Sequence, residues 1–273
     1  KNKIVCMPEN FNDDIFVAKT VDVKINYSKI YKKPNFFVRS FRYFVQKCFA
    51  MPLLWFYDKF FLGVKVKGKK NLKGLKGGAI SVCNHVHYLD WSICPVFLSK
   101  HKSVAVVTLK DNFRIPFVRR LLKLYGCIPL AETHSDNVLF YKCLQNNLKS
   151  GKIIHLFPEA SFWPYYNKIR PFKRGAFFFA VKYDVPIIPF IITFRYPKCK
   201  ILRNKPKLTV VVGEILFANK ELNAKEQISD LQERTQKELE KLLQQNPSVE
   251  YYKYVNEDEY KNTKLKINDK KLK

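Results

Sequence analysis

The sequence contains no Cys-x-x-Cys pair, and its seven cysteines are scattered singly along the chain. An odd number of isolated cysteines argues against a disulfide framework or a zinc knuckle and favours a reduced compartment. There is also no Gly-x-Ser-x-Gly motif, so no serine nucleophile is signalled. Internal repeats are absent too. Together these absences argue against a disulfide-rich secreted domain, a serine hydrolase and a repeat protein.

Acidic residues are scarce: 23 Asp and Glu stand against 50 Lys and Arg, which gives a formal net charge of +27. Such an excess predicts an anionic partner, which could be a nucleic acid, an acidic membrane face or a phosphorylated substrate. The aromatic residues occur in apolar runs rather than in the polar, glycine-rich context typical of base stacking. We therefore expect an anionic membrane surface as a partner and no nucleic acid.

The chain has no uninterrupted apolar run of the roughly 20 residues that a membrane-spanning helix needs. Residues 35–63 come nearest, but Arg39, Arg42 and Lys47 interrupt them and Pro52 should kink or divide the helix. Bulky aromatics with cations between them suit a pair of helices lying in the membrane interface. An aromatic helix packed on its own domain is the alternative. We expect a peripheral or monotopic membrane protein.

From residue 64 onward, short apolar runs alternate with segments of helical period. This alternation predicts an α/β fold with a central, partly parallel sheet flanked by helices. Strands are predicted at 64–67, 78–83, 104–109, 127–130, 152–157, 186–193 and 208–213. Helices are predicted at 90–99, 114–125, 135–149, 174–183 and 220–245.

These patterns divide the chain into four parts. Residues 1–34 are mixed and polar and predict an extended N-terminal arm, and residues 35–63 are the membrane-interface helices. Residues 64–246 make up the α/β domain. Residues 247–273 are rich in Lys, Asn and Tyr with little periodicity, which predicts a basic, loosely ordered tail.

His85 and Asp90 stand at the exit of the predicted strand 78–83, separated by four residues. A His and an Asp that meet across such a turn can act as a base and its orienter, because the Asp fixes the tautomer and leaves one ring nitrogen free to take a proton. Taken alone, the spacing is weak evidence and favours a polar residue satisfied at a strand exit. His87 adds a resemblance to a metal cluster, but Asp90 lies three residues after it rather than two. We therefore expect no metal.

Four segments resemble, in order and spacing, signatures of the glycerolipid acyltransferase family, which includes the lysophosphatidic acid acyltransferases. They are Asn84-His85-x4-Asp90, Phe157–Ser161, the following stretch Pro171–Phe177, and Val185–Phe190. The resemblance covers residues 64–215. Each segment is short, but the combination is specific.

The resemblance implies acyl transfer from a thioester to the free hydroxyl of a lysophospholipid, with 1-acyl-glycerol-3-phosphate as the first choice. It implies His85 as general base oriented by Asp90, with no cofactor beyond the acyl donor as co-substrate. The donor could be acyl-carrier protein, acyl-coenzyme A or an acyl phosphate. The implied site of action is the cytoplasmic face of the cell membrane. The implied substrate-binding residues are Asn84, Lys110, Glu159, Ser161, Lys173 and Arg174. The implied acyl-chain environment is Val185, Pro186, Ile187 and Pro189.

Two positions depart from the family pattern. Phe162 and Glu132 stand where the family usually has arginines, and neither can form the bidentate bond that arginine makes with phosphate. Three interpretations stay open: other cations replace the arginines, the acceptor is a different lipid, or the chain is a divergent member with weak activity. A non-catalytic lipid-binding member of the same fold is the alternative for the function as a whole. Lys110 is the best single phosphate candidate. The other nearby cations are Arg114, Arg119, Arg120, Lys168, Arg170, Lys173 and Arg174.

Overall fold

A computed structural model of the protein describes residues 3–10, 13–15, 26–31, 35–99, 102–115, 118–197 and 205–262. Within these residues the strands are β1 Lys3–Cys6, β2 Lys65–Lys67, β3 Ala79–Val82, β4 Val104–Thr108, β5 Ile128–Pro129, β6 Ile153–Leu156, β7 Ile187–Arg195, β8 Lys207–Val212 and β9 Tyr252–Val255. Seven of them form the central sheet in the order β2-β8-β7-β3-β6-β4-β5, and β1 pairs with β9 in a separate ribbon.

Most of the central sheet is parallel. Strands β3, β4, β5, β6 and β7 run in one direction, whereas β8 is antiparallel to β7 and β2 is parallel to β8. Helical crossovers connect the parallel strands, as parallel pairing requires. The predicted α/β class with a partly parallel sheet is confirmed.

The helices are α1 Tyr27–Tyr31, α2 Phe36–Val45, α3 Met51–Phe56, α4 Asp90–Ile93, α5 Val118–Leu124, α6 His134–Lys149, α7 Gly175–Lys182 and α8 Ala224–Gln245. Successive side chains of a strand point to opposite faces of the sheet, so β3 contributes to two cores. Ala79 packs in one core with Ile93 of α4. Ile80 packs in the other with Phe140 of α6 and Leu231 of α8.

The aromatic segment forms the predicted helix pair. A π-helical turn at Gln46–Ala50 joins α2 to α3, and Pro52 lies in the first turn of α3, where a missing N–H is tolerated. A second π-helical turn follows at Tyr57–Phe61. Its Asp58 is buried and accepts a hydrogen bond of 2.8 Å from the Ser92 hydroxyl, which fastens the pair to α4. No helix in the described part of the chain combines the length and the apolar character needed to cross a bilayer.

Pro189 lies inside β7, a central strand. Prolines of a sheet are normally confined to edge strands or to the start of a strand; Pro186, which precedes β7, fits this rule and Pro189 does not. The lost donor is tolerated because the ladder between β7 and β8 begins only at Phe190 and Val212. Just beyond it, Gly213 donates its N–H to the Pro189 carbonyl at 2.9 Å.

The two ends of the chain come together in the β1–β9 ribbon, with Lys3 opposite Tyr252 and Cys6 opposite Val255. The prediction of a loosely ordered tail is therefore wrong for Tyr252–Val255, where alternate aromatic side chains find a packing surface that the sequence does not reveal. Residues 263–273 of the tail lie outside the described residues, as do 1–2, 11–12, 16–25 and 32–34 of the predicted arm.

Candidate active site

The predicted site residues converge on the carboxyl edge of the sheet. Strands β3 and β6 are parallel neighbours with Val82 opposite Leu156, so the loops that follow them lie side by side. His85 is in the first loop and Glu159 is in the second. Ligand and reaction sites of open α/β sheets lie at this edge. The topology thus brings together two segments that are more than 70 residues apart.

His85 and Asp90 form the pair that the spacing predicts. The His85 Nδ1 lies 2.7 Å from Asp90 Oδ2, and the Asp90 side chain is fully buried. The same oxygen accepts the backbone N–H groups of Val86 (3.0 Å) and His87 (3.2 Å), so the turn itself holds the carboxylate. A carboxylate at Nδ1 fixes the tautomer with the proton on that nitrogen. The Nε2 atom is then left as the proton acceptor, on a side chain that is 25% exposed.

Two aromatic rings enclose the His85 imidazole. Phe157 stacks on it at 4.0 Å between ring centroids, with 19° between the planes. The centroid of the Phe162 ring lies 5.0 Å from that of the imidazole, and Phe162 also packs on the Tyr88 ring at 4.9 Å between centroids. These rings fix the plane of the imidazole and cover part of its surface, while the side chain keeps its 25% exposure. Phe157 is not among the predicted site residues. It directly follows β6 and begins the segment Phe157–Ser161 that resembles a family signature, and that position was the available signal.

Glu159 lies directly behind His85. Its Oε2 accepts the His85 backbone N–H at 3.1 Å and pairs with Arg170 Nη2 at 2.6 Å. Arg170 also donates its backbone N–H to Oε1 at 2.9 Å. The Glu159 and Arg170 side chains are 0% and 1% exposed. Glu159 therefore organises the turn from inside the protein, and its predicted contact with a substrate is not available in this arrangement.

Ser161 belongs to the same buried network. Its hydroxyl accepts from Arg170 Nη1, and its carbonyl accepts from Nη2 at 2.5 Å. It is 1% exposed. Ser161 therefore holds Arg170 in this arrangement, and its contact with substrate stays a prediction. Arg170 itself, one of the candidate phosphate ligands, is occupied by Glu159, because a buried carboxylate needs a cation beside it.

Asn84 is also turned inward. Its side-chain NH₂ donates to the Ile192 carbonyl at 3.0 Å and its side-chain oxygen accepts the Ile192 N–H at 2.8 Å. The residue is 2% exposed. Both ends of the amide are thereby used in joining the His85 turn to β7. Asn84 therefore braces the turn in this arrangement, and its contact with substrate stays a prediction.

The three predicted cationic ligands differ in their surroundings. Lys110 follows β4 and is ion-paired with Glu132, whose second oxygen accepts from the Tyr27 hydroxyl at 3.2 Å. This pair lowers the pKa of Glu132. Lys173 donates its backbone N–H to the Pro158 carbonyl at 2.7 Å, so it lies beside the Glu159 loop. Arg174 follows it as the N-cap of α7, and both side chains are exposed.

The predicted acyl-chain segment lies mostly at the other edge of the sheet. Ile187 pairs with Ile80 near the start of β3, and the Pro186 carbonyl accepts the Ile80 N–H at 2.9 Å. Val185 precedes both residues. Pro189 pairs with Val82 and is the member of this group nearest to the His85 turn. The structure therefore brings only Pro189 towards the site, while Val185, Pro186 and Ile187 belong to the opposite end of β7.

Two further histidines lie near the pair without facing solvent. His87 is 6% exposed, its Nδ1 accepts the Leu89 N–H at 3.2 Å, and burial lowers its pKa. His155 in β6 is fully buried, with Nδ1 at 2.9 Å from the Ser81 hydroxyl, and burial lowers its pKa to about 4. Both rings are therefore neutral near pH 7. Nowhere in the described ranges do three His, Cys, Asp or Glu side chains gather as a metal site.

A model of the acyltransferase family matches residues 63–193, the segment that contains the His85–Asp90 pair and the Glu159–Arg170 pair. Residues 63–193 belong to the acyltransferase family. This acyltransferase domain includes β2, β3, β4, β5, β6 and most of β7, together with the helices between them. The ribbon of β1 and β9 lies outside it.

Curated proteins with similar sequences carry related names. The chain is 26% identical over 156 residues to a chloroplastic 1-acyl-sn-glycerol-3-phosphate acyltransferase of Brassica napus, and the match covers 56% of this chain and 43% of that protein. It is 27% identical to the Arabidopsis thaliana protein of the same description, over 56% and 41% of the two chains. A Saccharomyces cerevisiae relative is 29% identical over 138 residues, or 48% and 43%. The chain thus spans less than half the length of these relatives.

Among solved structures, a 1-acyl-sn-glycerophosphate acyltransferase, PlsC, from Thermotoga maritima is similar over 77% of this chain and 85% of its own. The TM-score is 0.49 and the sequence identity is 18%.

Proposed function

We propose that this protein transfers a fatty acyl group from a thioester to the free hydroxyl of a lysophospholipid. The single observation that carries the proposal is the His85–Asp90 pair at 2.7 Å inside an acyltransferase domain. The curated relatives are named for 1-acyl-sn-glycerol-3-phosphate, which supports this lysophospholipid as the first acceptor to test.

The proposed reaction needs no covalent enzyme intermediate. His85 Nε2 takes the proton of the acceptor hydroxyl while the oxygen attacks the thioester carbonyl carbon. The tetrahedral intermediate collapses with cleavage of the carbon–sulfur bond, and the leaving sulfur receives the proton from Nε2. The products are the new ester and the free thiol. Asp90 stabilises the imidazolium that forms between the two proton transfers.

The surroundings of His85 favour this chemistry. The rings of Phe157 and Phe162 cover part of the imidazole and the Asp90 carboxylate is fully buried, which strengthens the interaction between imidazolium and Asp90. The Glu159–Arg170 pair holds the backbone of His85 from behind. The exposed cations Lys173 and Arg174 could attract the acidic surface of acyl-carrier protein or the phosphates of acyl-coenzyme A.

Membrane binding is the second part of the proposal. Helices α2 and α3 and their π-helical turns present a row of exposed apolar side chains, namely Phe36, Phe37, Phe41, Phe44, Phe49, Leu53, Phe60 and Phe61. Cations such as Arg39 and Lys47 stand between them. This arrangement suits insertion into the interface of an anionic bilayer. We propose the cytoplasmic face of a cell membrane as the site, where thioester donors and reduced cysteines coexist.

The deciding experiment is acyl transfer on anionic liposomes, with labelled acyl-carrier protein and acyl-coenzyme A offered separately to a panel of lysophospholipids. His85→Gln is the test variant, and His134→Gln is its control because His134 is exposed at the start of α6. Product that depends on His85 and not on His134 supports the proposal. Liposome binding without turnover on any pair of substrates would instead favour a non-catalytic lipid-binding protein.

A different lipid acceptor is the second candidate. The observation that favours it is the ion pair between Lys110 and Glu132, which engages the best phosphate candidate. Glu132→Gln removes the competing carboxylate. If Lys110 binds the acceptor phosphate, the KM for lysophosphatidic acid should fall by up to about tenfold, the value of one exposed charge-assisted hydrogen bond. An unchanged KM, with better turnover of an acceptor that lacks a phosphate monoester, would support the second candidate.

A further inference from the structure

The loop that follows Glu159 has a backbone that needs outside support. Ala160 and Tyr165 have φ values of 65° and 60°. Residues other than glycine in this left-handed region cost on the order of 1–3 kcal/mol each, and they persist where surrounding contacts hold them.

The loop holds the backbone of the His85 turn. Trp163 donates its N–H to the His85 carbonyl at 3.1 Å, and Tyr165 donates its N–H to the Val86 carbonyl at 2.8 Å. The Trp163 ring also lies under the Arg170 guanidinium, at 4.9 Å from its centroid. Arg170 is paired with Glu159, and Glu159 in turn accepts the His85 N–H. The peptide groups on both sides of His85 are therefore fixed from this loop.

The C-terminal strand holds the loop from the other side. The Tyr254 hydroxyl donates to the Pro164 carbonyl at 2.6 Å, and its ring lies parallel to that of Trp163 at 5.7 Å and 8°. Tyr165 packs against Tyr251 at 4.7 Å and Tyr252 at 5.0 Å. Pro164 thus stands between the two residues that bind the His85 turn.

The N-terminal segment adds two hydrogen bonds to the same loop. The Asp13 carbonyl accepts Trp163 Nε1–H at 2.9 Å, and the Asp14 carboxylate accepts the Phe162 N–H at 2.5 Å. Asp13, Asp14, Tyr251, Tyr252 and Tyr254 are called the terminal clamp below. All five lie outside residues 63–193, which the family model matches.

We propose that the terminal clamp positions His85 for acyl transfer, with Tyr254 as its main positioning residue. The inference rests on the proposed function and deepens it. The clamp touches no reacting atom in this arrangement. It acts by fixing Trp163 and Tyr165, whose N–H groups set the direction of the His85 and Val86 peptides. A small displacement of these peptides would turn Nε2 away from the acceptor hydroxyl, and catalysis is sensitive to shifts of about 1 Å.

The test compares Tyr254→Phe and Tyr254→Ala with Lys253→Ala in the full chain. Lys253 lies in the same strand, but its side chain is half exposed and its ammonium pairs with Glu259 at 2.7 Å. Tyr254→Phe keeps the ring and loses the hydrogen bond to Pro164. Tyr254→Ala loses the ring as well. The measurements are kcat and KM on liposomes, the thermal midpoint, and amide hydrogen exchange at Trp163 and Tyr165.

The expected result is a graded loss of kcat. Tyr254→Phe should lower kcat by up to about tenfold, the value of one hydrogen bond, and Tyr254→Ala by about a hundredfold. KM for both substrates should stay unchanged, and Lys253→Ala should match the parent. A purely structural role would lower the amount of folded protein without this graded loss in kcat per folded molecule, and that outcome would overturn the proposal.

Hydrogen exchange separates failure of the clamp from failure of the proposed function. If the parent protein shows no turnover with any substrate pair, the proposed function fails and exchange alone decides the clamp. Faster exchange at Trp163 and Tyr165 in Tyr254→Ala than in Lys253→Ala would support the link to the His85 turn. Equal exchange in the two variants would overturn it.

Discussion

Arg170 and Glu159 form an ion pair that solvent does not reach, with Nη2 2.6 Å from Oε2 and side chains that are 1% and 0% exposed. The pair lies where the loops after β3 and β6 meet, and its two opposite charges neutralise each other. Because Glu159 also accepts the His85 N–H, the position of the proposed base depends on this buried ion pair. This relationship explains why Arg170 is not free to bind a phosphate.

Arg170→Met should destabilise the protein by about 3–5 kcal/mol, since it leaves the Glu159 carboxylate buried without its cation. Urea unfolding followed by circular dichroism measures this loss. Arg234→Met is the control, because the Arg234–Asp230 pair on α8 is partly exposed and should be worth about 1 kcal/mol or less. Equal losses in the two variants would contradict a special role for the buried pair.

Asp90→Asn should lower kcat by about 10²–10⁴-fold, because an amide at this position no longer stabilises the imidazolium of His85. His85→Gln should cost at least as much. If the two side chains act as a unit, the double variant should be no slower than His85→Gln alone, since effects within a catalytic unit are not additive. Independent, multiplying losses would argue that Asp90 only supports the fold of the turn.

Replacing Phe37 and Phe41 by Asp should weaken binding to anionic liposomes by at least about tenfold, because two exposed aromatic side chains lose their contact with the bilayer interface. Sedimentation with liposomes at two salt concentrations measures the effect. Phe217→Asp is the control for each single replacement, since Phe217 is 64% exposed but belongs to the segment between β8 and α8. A similar loss in the control would mean that general hydrophobicity, and not this helix pair, governs binding.

His155 should make the free energy of unfolding depend on pH in the acidic range. Burial lowers its pKa from 6.5 to about 4, so between these values unfolding takes up a proton. Its contribution of about 3 kcal/mol is fully present above pH 6.5 and is lost as the pH falls towards 4. His155→Gln should remove this part of the slope in urea unfolding at pH 4 and pH 7.

The variant must be compared with the parent, because Asp58 has the opposite effect. Burial raises the pKa of Asp58 from 3.8 to about 6, so its contribution is full below pH 3.8 and is lost as the pH rises through 6. The difference between the two proteins isolates His155. Identical pH profiles would show that His155 is not the group that titrates on unfolding.

The central sheet and the position of the site were predictable because they depend on local patterns. Each predicted strand from β2 to β8 is present, and the order of the strands brings the His85 and Glu159 loops together. The direction in which each side chain points was not predictable. Asn84, Glu159 and Ser161 lie in the loops that the resemblance indicates, but they face inward, because the partners that hold them come from β7 and from Arg170.

The ribbon of β1 and β9 shows a second limit. Each strand has four residues, and the partners lie about 250 positions apart, so neither gives a local signal. Its stability comes from the tyrosines that pack on Trp163 and Tyr165. A sequence pattern shows which residues are aromatic, but not the loop on which they pack.

This ribbon also affects how the protein is made. Contacts between residues so far apart in sequence carry a large loop-closure entropy and form late in folding. During synthesis the acyltransferase domain leaves the ribosome well before Tyr252–Val255 exist, so the His85 loop is first built without its support. A ribosome-bound chain that stops before Tyr251 should therefore lack this support and show slower turnover in the proposed acyl transfer than a chain that includes Tyr252–Val255.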